Sequence, residues 1–117
     1  MAKASIPLFD ATADETVTLV KAGYTLLHGF EIENANTTKM YIQFFDAAAA
    51  TDVTLGTTVP NATYYIPPGD GTENGVRGKD YANSPSRYGK GLCYAITTTN
   101  TGLTGPTTEL DLNLDYD

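Results

Sequence analysis

The chain has 117 residues, a formal charge of −7, 41% hydrophobic residues, eleven glycines, six prolines and one cysteine. That length holds one domain able to bury roughly two-thirds of its unfolded surface, and the acidity repels phosphate backbones, which argues against direct nucleic-acid binding. The single Cys93 excludes an internal disulfide, and no apolar run approaches the ~20 residues of a membrane span. Met1-Ala2-Lys3-Ala4-Ser5 is followed by no apolar stretch of signal-peptide length, so synthesis and folding are expected in the cytosol.

In chain order, Ile6, Leu8 and Phe9 are interrupted by Pro7. A proline removes a ladder donor, so residues 1–14 are expected as an N-terminal arm or edge strand ahead of a β-sandwich domain over 15–117. Residues 15–20 alternate, with Val17 and Leu19 on one face. Between 24 and 33, Tyr24, Leu26, His28, Phe30 and Ile32 fall on one parity, which predicts an apolar strand face. The turn formers Asn34-Ala35-Asn36-Thr37-Thr38 follow, and Met40, Ile42 and Phe44 then alternate with Tyr41, Gln43 and Phe45. Two alternating runs with a short connection predict a hairpin, whose apolar face needs an opposing layer.

Ala47-Ala48-Ala49-Ala50 is too short for an isolated helix and predicts one helical turn or a loop. A weaker strand is expected over 53–59 and a short one over 63–66, stopped by Pro67-Pro68. From about 68 to 90 periodicity disappears, which predicts one long loop with a short strand inside it over 76–81. Leu92, Tyr94 and Ile96 then share one strand face and Cys93 and Ala95 the other. The last strand alternates Leu110, Leu112, Leu114 and Tyr116 with acids. Seven to nine short strands without a convincing helix predict an all-β fold, an antiparallel, jelly-roll-like β-sandwich, with a small barrel as the second reading.

Chemistry-bearing residues are sparse. His28, the only histidine, sits at an apolar parity and is expected to be structural, with a satisfied hydrogen bond. Cys93 lies mid-strand, where a buried inert thiol is expected. Glu109, Asp111, Asp115 and Asp117 are roughly 7 Å apart along a strand face and read as a solvated acidic surface, since a calcium loop must curl. Asp70-Gly71-Thr72-Glu73-Asn74-Gly75 can curl better, but it too is set aside as a calcium loop. The 68–90 stretch concentrates Arg77, Lys79, Arg87 and Lys90 with Tyr81 and Tyr88. It is equally compatible with a solvated loop and with an interface, arginine and tyrosine being common interface anchors. Phe9, Arg77, Lys79, Tyr81, Arg87 and Tyr88 are therefore the candidate interface residues, with no catalytic, metal or cofactor-binding residue nominated.

Leu27-His28-Gly29-Phe30-Glu31-Ile32-Glu33-Asn34-Ala35-Asn36 followed by Tyr41-Ile42-Gln43-Phe44-Phe45-Asp46 resembles small β-sandwich virion proteins of tailed bacteriophages. Tyr65-Ile66-Pro67-Pro68-Gly69 and Gly91-Leu92-Cys93-Tyr94-Ala95-Ile96-Thr97-Thr98 fit the same layout, so the likeness spans roughly 15–117. It departs in the long 68–90 stretch, where those proteins tend to be short. The resemblance implies a capsid decoration (cement) protein, a non-enzymatic homotrimer made in the host cytoplasm that binds the major capsid protein on the outside of the shell and reinforces it. A receptor- or carbohydrate-binding module of a tail or fibre is the alternative.

Overall fold

The computed structural model describes residues 5–117. Its strands are β1 (Ile6–Ala13), β2 (Thr18–Ala22), β3 (Thr25–Asn34), β4 (Met40–Asp46), β5 (Ala62–Ile66), β6 (Gly75–Asp80), β7 (Ser86–Tyr88), β8 (Gly91–Thr97) and β9 (Leu110–Tyr116). One sheet runs β1-β9-β3-β6, with β7 also paired to β3, and the other runs β2-β8-β4-β5. All the pairings are antiparallel.

The pairs nest: β1 with β9, β2 with β8, β3 with β6 and β7, β4 with β5. This is one long hairpin of strands rolled up until β9 meets β3 and β8 meets β4, the jelly-roll order. The expected antiparallel sandwich is therefore the architecture found. Pro7 sits on β1, the outer strand of its sheet, the place in a sheet where a residue without an N–H is tolerated.

Between the sheets lies one apolar cluster that includes Phe30, Ile32, Met40, Ile42, Phe44, Leu92, Ile96, Leu110, Leu112 and Leu114. A second cluster, Phe45, Ala47, Val53, Cys93 and Ala95 with Val17 and Leu55, covers the far side of the β8–β4 sheet. All seven residues of β8 are consequently buried, which is why its sequence is apolar on both parities.

Four local expectations are corrected. The runs 24–33 and 39–46 do not pair: β3 and β4 belong to different sheets. The asparagines between them bond to distant chain instead of closing a tight turn. Asn34 donates to the carbonyls of Thr38 (3.0 Å) and Pro67 (3.1 Å) while its Oδ1 accepts from the backbone and side-chain amides of Asn36. Asn36 in turn donates to Thr108 O and accepts from Thr108 N, both at 2.8 Å. These two buried amides satisfy themselves by tying the crossing chain to the ends of β5 and β9.

Second, β3 changes face midway. The ladder pairs Leu27 with Tyr116 but Gly29 with Asp115, leaving His28 as an extra residue. Such a bulge flips the parity: Thr25 and Leu27 face the core ahead of it, and Phe30 and Ile32 beyond it. Leu26 and Tyr24, expected inside, are partly and largely exposed. Third, 53–59 is not a strand. A 3-10 turn over Ala50–Asp52 and a Thr54–Thr58 turn closed by local bonds fold this stretch over the β4–β8 face. Threonine side chains compete here with a ladder. Fourth, 68–90 is not one loop, because β6 and β7 in succession fill a single strand's place beside β3.

Candidate functional site

Two surfaces bring chemistry-bearing residues together. The first lies on the flank where the edge strands β5 and β6 of opposite sheets face one another. Arg77 pairs with Ile32 and Lys79 with Phe30, so both side chains leave β6 on the inner side of its sheet. Tyr64 pairs with Ile42 and reaches the same flank from β5. The Arg77 guanidinium stands 5.3 Å from the centre of the Tyr64 ring, and the Lys79 ammonium 5.6 Å from that of Tyr81. The two tyrosine hydroxyls are hydrogen-bonded at 2.8 Å. Tyr64 rests on Phe30 and Phe44, whose ring centres lie 5.1 and 6.1 Å away. An aromatic column thus runs from the core to the surface and ends under two cations, each worth about 0.5–2 kcal/mol of ring attraction depending on its exposure.

The second surface is the outer face of the β1-β9-β3-β6 sheet. Cross-strand pairing sets Phe9 beside Asn113, Asn113 beside Glu31, and Glu31 beside Gly78. The next row is Pro7, Asp115, Gly29 and Asp80. A groove of about 570 Å³ runs through it, with Phe9, His28, Gly29, Glu31, Asp80 and Asp115 in its lining. Gly29 keeps the floor low: a Cβ there would stand 2.9 Å from the Lys79 carbonyl oxygen.

Compared with known proteins, the chain matches no family model and no curated protein.

The nominated interface residues divide among three places. Arg77, Lys79 and Tyr81 come together on the flank, and Phe9 stands 63% exposed at the groove. Arg87 is exposed on β7 opposite Leu26. Tyr88 is a correction: it is 1% exposed inside the core cluster. Its β7 position pairs with Thr25, an inward residue, so the ring cannot serve as a surface anchor. Tyr64, not nominated, is the ring that joins the flank to the core. Its signal was parity, since it lies two residues before Ile66 on a strand.

His28 is also corrected. The bulge takes it off the core face into the groove wall, and its Nε2 is buried with no hydrogen-bond partner among the described residues. Cys93 behaves as expected, its thiol buried against the Ala47 carbonyl and pushed up by that burial and by the charge of Asp52. The Asp70 carboxylate accepts from the amides of Glu73 and Thr72, which hold its pKa below the ordinary carboxylate value. That oxygen closes its own turn. Among the described residues no cluster of histidine, cysteine and acidic groups could hold a metal, and no helix is long and apolar enough to cross a membrane.

Three tyrosines make the fold sensitive to alkali. Burial, then the bond and charge of Tyr64, push the Tyr81 hydroxyl up; burial pushes Tyr88 up to about 12; burial and the bond to Asp10 raise Tyr94. In the unfolded chain each ionises near pH 10, so their contribution is full below that pH and drains away as pH rises through the folded values. Melting temperature should therefore hold steady to about pH 10 and fall steeply toward pH 12. A flat profile to pH 12 would contradict this placement of the rings. Asp10 gives a weaker acid limb. Burial alone would raise its pKa, but bonds from Tyr94 and Thr12 outweigh it and set the value below normal.

Proposed function

We propose that the chain is a non-enzymatic virion protein that binds the major capsid protein on the outside of a phage shell and works as a homotrimeric decoration protein. The observation that carries this reading is the β5–β6 flank, where two cations and two tyrosines are set in place on an otherwise acidic chain. Rings fixed by packing and guanidinium groups laid on them lose little entropy on docking, which suits them as anchors. The nested jelly roll supplies a rigid support, and the resemblance of 27–36 and 41–46 to phage virion proteins supplies the setting. Docking here is contact only, with Arg77 and Lys79 pairing with acidic capsid groups and no bond made or broken.

The test is a binding assay on capsids of the phage that encodes the chain, together with the native mass. The parent protein should be trimeric and should saturate sites on the shell. Arg77→Glu/Lys79→Glu should lose binding by at least about tenfold, the scale of one charged contact. A monomer that leaves capsids unoccupied counts against the reading, as does a double variant that binds like the parent.

A further inference from the structure

We propose that the groove on the outer face of the β1-β9-β3-β6 sheet is a separate docking site that takes an arginine or lysine side chain presented on an extended basic segment of a partner protein. The two sheets are finished differently on their outer sides. The β4–β8 face is covered by the 47–58 chain through Val53 and Leu55. Among the described residues the opposite face has no such cover, and Phe9, Glu31, Gly78, Asp80, Asn113 and Asp115 are all exposed on it. It is not an apolar patch in need of a lid, because carboxylates dominate it.

Charge decides the occupant. Glu31 and Asp115 flank the groove with no hydrogen bond or ion pair among the described residues, while one Asp80 oxygen is occupied by the Ala82 amide at 2.8 Å. Glu33 and Asp111 continue the same face one row further on. Among the described residues no lysine or arginine stands at the outward positions of these rows; Lys79 belongs to the groove lining, but its ammonium is drawn to the inner flank over Tyr81. An anion would meet uncompensated repulsion, and a neutral ligand would leave the carboxylates unneutralised. A guanidinium or ammonium instead donates charge-assisted hydrogen bonds to two carboxylates. Its aliphatic stem and charge can lie on the Phe9 ring, which the fold leaves exposed beside them. The volume of about 570 Å³ is of the size that holds one long side chain and its neighbours.

Isothermal titration with a short blocked peptide alternating arginine and glycine tests this, with its citrulline counterpart as the uncharged control. One peptide should bind per chain, at least about tenfold more tightly than the citrulline form, and added salt should weaken it. Glu31→Gln/Asp115→Asn should reduce affinity about tenfold and Phe9→Ala several-fold. All three residues are exposed, so melting curves should match the parent and exclude misfolding as the cause. Arg77→Gln should leave peptide binding unchanged, which separates this site from the capsid-docking flank. Equal binding of the two peptides, absence of binding, or undiminished affinity in Glu31→Gln/Asp115→Asn would overturn the proposal, as would loss of binding in the flank variant.

Discussion

Phe44→Ala should destabilise the protein by about 3–5 kcal/mol, the cost of deleting a fully enclosed aromatic ring and leaving a cavity. Phe44 is 0% exposed and stands at the meeting point of both sheets, 5.3 Å from the Phe30 ring and 6.1 Å from Tyr64. A loss of that size takes up a large share of the 5–15 kcal/mol typical of a whole domain. A urea titration should show the midpoint falling sharply with little change in slope. The same substitution removes one of the two rings on which Tyr64 rests, so docking through Arg77 and Tyr81 should weaken even where the fold survives. Phe45→Ala makes an informative partner. Phe45 is equally buried but faces the outer cluster with Cys93 and Ala95, so it should cost stability while leaving the flank intact.

Gly75→Ala should cost at least about 3 kcal/mol, at the upper end of what overpacking does. A Cβ at Gly75 would stand 1.9 Å from the Pro67 carbonyl oxygen and 2.8 Å from that of Pro68. Both obstacles are backbone, in the segment leaving β5, and neither can swing aside as a side-chain tip could. Relief requires moving the start of β6, and with it the register that places Arg77 and Lys79. Gly89→Ala is the control, because nothing lies within 4 Å of its Cβ position and its backbone needs no left-handed conformation. It should fall within about 0.5 kcal/mol of the parent or slightly above it. Thermal unfolding of the two variants side by side checks the pair. Equal melting temperatures would mean that the close approach of 67–68 to β6 is not real.

Much of the fold was legible because parity reports burial directly. Leu92, Tyr94 and Ile96, and Leu110, Leu112 and Leu114, face inward as their alternation required. Phe30, Ile32, Met40, Ile42 and Phe44 also enter the interior from their expected faces, whereas Leu26 does not and Leu27 takes its place. That exception has a physical cause: one extra residue at His28 inverts the parity of everything before it, and no local feature of Leu27-His28-Gly29 announces a bulge. The misread hairpin has a different cause. A five-residue connection is compatible with strands that pair and with strands that part into two sheets, and the choice rests on bonds from Asn34 and Asn36 to Pro67 and Thr108. Edge strands were least visible. Val76-Arg77-Gly78-Lys79-Asp80 has a polar residue on either side because one edge is open, and its strand identity comes from pairing with β3.

The candidate surfaces were legible to the same degree. Arg77 and Lys79, two apart, had to share a side once they lay on a strand, but the tyrosines beneath them depend on which edge strand closes the flank. The groove was harder still. Phe9, Glu31 and Asp115 come from three strands far apart in sequence, and only the nested order of β1, β9 and β3 sets them side by side.

Hydrogen exchange on capsid-bound protein tests the central reading most directly. Binding should slow exchange at the amides of Ala62–Ile66 and of Gly75–Asp80 through Tyr81, and leave the outer-face residues of β9 as fast as in free protein. Protection confined to other strands, or no change on adding capsids, would contradict it.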